Sequence, residues 1–289
     1  MTHINKQMKS LAFAVAALAA GSANAATITQ WSVNVVSQFL PGTIVDSNGN
    51  TPGGVTISNT NKTLRWGQDG SSGLDINNSP SNTMVTTGIL PASPAPVPNV
   101  GITHVNNPIQ PPTLDKVTLS NSVTLTPIAP PGMGLAPTAL NFLIDFQETT
   151  NNLDPCPNGV ANGSGVNSNG CGDIFVLGAN SLNYSFFYDT DGVGGDDPQE
   201  YFLSFVEASS GLQSLPTAAC FAATGSNAPC LGFVTPESAS TTFQFGALIT
   251  TERVVIVPPV NEVPEPGVLG LVGLGLAAMA TVRRRRRTA

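Results

Sequence analysis

Alternation is the feature that most limits what this chain can fold into. Leu114 to Pro127 reads LDKVTLSNSVTLTP, with Val117, Leu119, Val123 and Leu125 on one face of an extended strand. In Leu140–Gln147, Phe142, Ile144 and Phe146 fall on one side, and Asn141, Leu143 and Asp145 on the other. Strand side chains alternate with a period of two, so such runs demand a sheet with one buried face. No stretch of residues 26–262 sustains a 3.6-residue period. Further strand candidates are Thr29–Phe39, Lys62–Trp66, Asp173–Leu177, Leu182–Tyr188, Tyr201–Glu207, Cys230–Thr235 and Thr241–Thr250. Asp173–Leu177 and Leu182–Tyr188 read as a hairpin around Gly178-Ala179-Asn180. Proline-dense Pro80–Pro112 reads as a long surface loop with a short strand at Gly88–Leu90, and Val254–Val263 as a last strand. Many short strands between turn residues predict an all-β fold. The expectation is a single antiparallel β-sandwich, jelly-roll-like, over residues 26–257, long enough to enclose a sizeable core.

The two ends read as addresses. Lys6 and Lys9, an apolar run Leu11–Ala20 and the Ala23-Asn24-Ala25 site predict a signal peptide over 1–25, cut by signal peptidase between Ala25 and Ala26. A tether over 258–263 leads to Pro264-Glu265-Pro266 and an uncharged stretch Gly267–Val282. Arg283, Arg284, Arg285, Arg286 and Arg287 close the segment. As a helix the uncharged stretch is about 24 Å long, short of the ~30 Å hydrocarbon core. The arginines hold its inner end in the cytoplasm, while the prolines keep Glu265 extended and open to proteolysis. The alternative is a plain C-terminal anchor.

This order resembles the PEP-CTERM sorting tail of Gram-negative bacteria, with residues 264–289 as the tail. The resemblance implies a transient inner-membrane anchor and cleavage by an exosortase near Pro264-Glu265-Pro266. Release to the cell surface or an exopolysaccharide matrix would follow.

Between the two ends the charge is strongly negative. Residues 26–262 carry 17 acidic and four basic residues, a net of −13. Without a basic patch to displace counterions, nucleic acid is excluded as a partner. Cys156, Cys171, Cys220 and Cys230 all lie in the exported part, where an even count reads as two disulfides. The local pairing, Cys156 with Cys171 and Cys220 with Cys230, is favoured, because each pair brackets a Gly/Asn/Ser-rich loop. A zinc site lacks C-x-x-C spacing and has one histidine at most to draw on.

Catalytic machinery is hard to place. The exported part has a single histidine, His104, whose polar neighbours suit it to ordering a loop. No G-x-S-x-G or H-E-x-x-H motif is present. No catalytic residue, cofactor or metal is therefore assigned. One acidic run stands out: Asp189, Asp191, Asp196 and Asp197 surround three glycines. Its D-x-D-G opening suits calcium, but Gly192 comes too early and no closing Glu follows. The run reads as a hairpin connection, with calcium as the alternative.

Thr103-His104-Val105-Asn106, followed by Asn107-Pro108-Ile109, resembles the motif of the THxN family of PEP-CTERM proteins. Leu64-Arg65-Trp66-Gly67 and Ser72-Gly73-Leu74-Asp75-Ile76 are similar to the segments that precede it there. The resemblance implies secretion and surface sorting, and carries over no catalytic residue. Two functions stand: a non-enzymatic surface or biofilm-matrix protein, and a carbohydrate-binding or carbohydrate-active β-sandwich. The second would use exposed aromatics, with Trp31, Trp66, Tyr184, Phe186, Tyr188 and Tyr201 as candidates.

Overall fold

A computed structural model describes residues 26–68, 71–90, 94–178, 183–190, 198–209 and 211–254. The signal peptide, Asp191, Asp196, Asp197 and the sorting tail with its expected membrane helix lie outside the described residues. The strands are β1 (Gln30–Phe39), β2 (Val45–Asp46), β3 (Thr56–Ser58), β4 (Thr63–Trp66), β5 (Ser72–Asn77), β6 (Ser81–Gly88) and β7 (Val97–Asn106). They continue as β8 (Leu114–Ala129), β9 (Thr138–Gln147), β10 (Asp173–Leu177), β11 (Asn183–Tyr188) and β12 (Gln199–Glu207). The last three are β13 (Gln213–Ser214), β14 (Leu231–Thr235) and β15 (Ala239–Thr250).

These strands form one large hydrogen-bonded sheet that works as two halves. The first half runs β13-β14-β10-β9-β8-β1-β6, and the second β3-β4-β5-β7-β15 with β12 and β11 beyond. Pairing is antiparallel within each half. A two-residue parallel contact, Ile249 with Thr87 and Thr250 with Gly88, joins them. The purely antiparallel expectation is corrected at this seam.

The halves face each other across a shared core. Trp31 on β1 meets Phe186, Tyr188 and Tyr201 from β11 and β12 edge-on, at 5.2, 5.3 and 5.2 Å. Phe142 on β9 meets Phe205 on β12 at 6.2 Å. Edge-to-face geometry suits aromatic quadrupoles and is worth about 0.5–1.5 kcal/mol per pair beyond area burial. The alternating faces behave as the sequence dictates: Phe142, Ile144 and Phe146 are buried, while Leu143 is 44% exposed. The result is sandwich-like.

Two local expectations are corrected. Pro80–Pro112 is not a surface loop, because β6 and β7 lie within it and pair with β1 and β15. Pro80 lies just before β6, Pro94 and Pro96 just before β7, Pro98 at its second residue, and Pro108, Pro111 and Pro112 beyond it, so proline density does not mark a loop here. Asp173–Leu177 and the following strand do not form a hairpin: β10 pairs with β9 and β14, and β11 pairs with β12. The Asp189 run does connect β11 to β12, with Tyr188 opposite Gln199. Among the described residues one α-helix, α1 (Thr217–Thr224), interrupts the β pattern and ends on Gly225 at φ 69°. Such a left-handed C-terminal position favours glycine.

Candidate functional site

Thr103–Asn106 forms the end of the inner strand β7, where alternation turns Ile102, His104 and Asn106 inward. His104 is fully buried. Its ring stacks on Trp66 at 5.8 Å and meets Phe146 and Phe175 edge-on at 5.6 and 4.6 Å. Burial among these rings drives its pKa down to about 3, so the ring is neutral. Thr235 Oγ1 donates to the Asp173 carbonyl at 3.3 Å. It therefore accepts from His104 Nδ1–H at 2.9 Å, which assigns the tautomer and leaves a lone pair on Nε2. That nitrogen has no hydrogen-bond partner and lies 4.0 Å from Asp173 Oδ2. Loop ordering is thus corrected to a place in the core.

Behind His104 three carboxylates converge. Glu148 follows β9, Asp173 opens β10 and Glu237 sits in the turn between β14 and β15. One oxygen from each lies within 4.8 Å of the others. Asp173 and Glu237 are fully buried, and Glu148 is half-buried. Thr149 N–H donates to Asp173 Oδ1 at 2.9 Å. Asp173 Oδ2, Glu148 Oε2 and Glu237 Oε2 have no hydrogen-bond partner. Burial, then the charge of Glu237, pushes the Glu148 carboxyl up to about 8. Burial, then Glu148, raises Asp173 well above the carboxylate range. Burial raises Glu237 against the opposing Asn151 and Asn106 side chains.

The Cys156–Cys171 disulfide frames this cluster, with Cα atoms 5.4 Å apart. Asn151, oriented to satisfy both neighbours, donates to the Cys171 carbonyl and to Glu237 Oε1, each at 3.2 Å. Gly172 N–H donates to Asn167 Oδ1 at 3.0 Å. A Cβ on Gly172 would sit 2.6 Å from the Thr235 carbonyl, so only glycine lets β10 start this close to β14. Cys220 and Cys230 form the other bridge, Cα atoms 5.7 Å apart, which ties α1 to the residue before β14 and packs with Ile174 and Val176 of β10. Glu148, Thr149, Asn151, Gln68 and Gln110 line a polar groove of about 740 Å³ that opens onto the cluster.

The structure brings His104 and Asn106 to this site, while Thr103 faces outward and bonds Thr242 Oγ1 at 2.7 Å. Asp189 lies elsewhere, at the end of β11. Sequence reasoning missed Glu148, Asp173 and Glu237, which stand 89 positions apart from first to last and share no motif. Of the aromatics proposed for sugar binding, Trp31, Trp66, Phe186, Tyr188 and Tyr201 are core; Tyr184 is half-buried.

The PEP-CTERM protein-sorting motif matches residues 262–287. A comparison with curated proteins found no match. The motif makes this an exported protein, held transiently in the membrane by its tail and processed by an exosortase. Pro264, Glu265, Pro266 and Arg283–Arg287 all fall inside the matched segment.

Proposed function

We propose that the chain is a non-enzymatic protein of THxN type, released to the cell surface or exopolysaccharide matrix of a Gram-negative bacterium. The match of the sorting motif to residues 262–287 is the observation that carries this reading. The interior placement of His104 supports the non-enzymatic part, since a fully buried ring tied to Thr235 does not meet a substrate as general base. The net charge of −13 over residues 26–262 favours solubility of a crowded matrix protein. Carbohydrate binding has less behind it: Tyr184 and the exposed Phe187 border a groove of about 350 Å³ whose lining includes no carboxylate.

Mass spectrometry of the protein from a host with an exosortase tests the reading. The expected mature form starts near Ala26 and has lost Arg283–Arg287. Changing Pro264-Glu265-Pro266 to alanines should keep the full tail on a membrane-bound product. Replacing the arginines by serine should stall export or release unprocessed protein. Wild-type protein that retains its arginines would make the tail a simple anchor and sink the proposal.

A further inference from the structure

The buried carboxylates present a charge problem that the protein's own cations do not solve. Four basic residues lie between 26 and 262. Lys62 donates to the Ser79 carbonyl, Arg65 pairs with Asp75 at 2.8 Å, Lys116 lies 3.5 Å from Asp115, and Arg253 sits over Phe202. None of them is among the charges that act on Glu148, Asp173 or Glu237. Burying even one unpaired charge is strongly unfavourable. Asp173 and Glu237 are fully buried, and each turns an unpartnered oxygen into the cluster. Asn106 adds a buried, unpartnered Oδ1.

We propose that Glu148, Asp173 and Glu237 hold a single calcium ion. Oxygens on opposite sides of calcium lie about 4.6–5.2 Å apart, twice its usual ligand distance. The mutual spacing of 4.8 Å or less matches one shared ion. Oxygen donors select a hard cation, and calcium takes six to eight of them in irregular geometry. Second carboxylate oxygens and water from the groove complete the shell. Half-buried Glu148 lines that groove and provides the entry path. His104 Nε2 lies outside the three-oxygen group and walls it. The ion fastens the end of β9, the start of β10 and the β14–β15 turn at one point. Its binding does not depend on the sorting reading.

Isothermal titration of the full chain in detergent, stripped with EGTA, tests this. One calcium per chain should bind, with a rise in melting temperature. Asp173→Asn with Glu237→Gln should fold without calcium, because it removes two buried charges and keeps their shape. That variant should bind calcium roughly a hundredfold more weakly, or not at all, since close charges dominate such a site. Asp189→Ala with Asp191→Ala should leave affinity unchanged. No binding and no thermal shift at millimolar calcium would overturn the proposal and leave a protonated cluster. Zinc binding without calcium binding would overturn the choice of a hard cation. Loss of binding in the Asp189/Asp191 variant alone would move the site to that loop.

Discussion

Asp46 and Asp173 are both buried aspartates at strand ends, and the protein treats them in opposite ways. Asp46 is 2% exposed, but its oxygens are saturated: Asn48 and Asn50 N–H donate to Oδ1 at 2.9 and 2.8 Å, and Gly54 N–H to Oδ2 at 3.0 Å. The Asn50 bond leads in holding its carboxyl below the usual value. Gly53, at φ 58°, makes room, since a Cβ there would meet Asp46 Oδ2 at 2.0 Å. Asp173 receives one N–H, from Thr149, and faces two further carboxylates. Donors that come from within a few residues can stabilise a buried charge in place. Carboxylates gathered from three distant segments, with few donors, need a proton or a cation from outside.

Breaking the Cys156–Cys171 bridge should damage one of these regions and spare the other. It closes a 15-residue separation around the loop that carries Asn167, and the Cys171 carbonyl accepts from Asn151 just outside that loop. Cys156→Ala with Cys171→Ala should cost about 3 kcal/mol by the loop-closure argument. Calcium affinity should fall with it, measured by titration. Removing Cys220–Cys230 should cost a similar amount in urea unfolding and leave calcium affinity intact. Equal loss of affinity in both variants would show that the cluster responds to global stability rather than to its frame.

The ion-free protein offers a second way to sharpen the comparison. His104, Glu148, Asp173 and Glu237 are the titrating groups of the cluster. The folded His104 pKa, about 3, lies below its ordinary 6.5, so its contribution rises with pH up to 6.5 and is constant above. The three carboxyls are raised, so the folded state binds more protons than the unfolded one, and stability falls as pH rises toward the Glu148 value of about 8. Between pH 6.5 and 8 the carboxylates act alone. Denaturant midpoints of the EGTA-treated protein should decline across that window. Glu237→Gln should flatten the slope. A flat wild-type profile would mean that the three charges are compensated within the protein.

The two regions also differ in how far they were legible. Asp46 is followed by Ser-Asn-Gly-Asn and Gly53-Gly54, turn chemistry that sits within nine residues. The core faces of β8 and β9 were plain in the sequence, because Val117, Leu119, Val123 and Leu125 alternate on either side of Asn121, and Phe142, Ile144 and Phe146 alternate without a break. The strand that carries His104 was hidden by prolines nearby, although Val100, Ile102, His104 and Asn106 already alternate. The carboxylates left no such trace. Glu148 follows one strand, Asp173 begins another and Glu237 occupies a turn, so only the pairing of β10 with both β9 and β14 brings them together. That pairing is a matter of topology, and the expected β10–β11 hairpin pointed away from it.

Asp46 supplies the smallest of the expected effects. Its pKa is depressed, so its contribution is present above the unfolded value of about 3.8 and is lost as pH falls through the lower, folded value. Asp46→Asn keeps an acceptor oxygen but turns an N–H₂ group toward donors at Asn48, Asn50 or Gly54. The variant should therefore unfold at lower urea than wild type at pH 7. The gap should narrow as both are acidified below pH 3.8, where the wild-type carboxyl also protonates. Calcium affinity should not change, because the variant leaves Glu148, Asp173 and Glu237 as they are. A gap that stays constant down to pH 2 would show that Asp46 acts through shape rather than charge, and the contrast with Asp173 would then rest on packing alone.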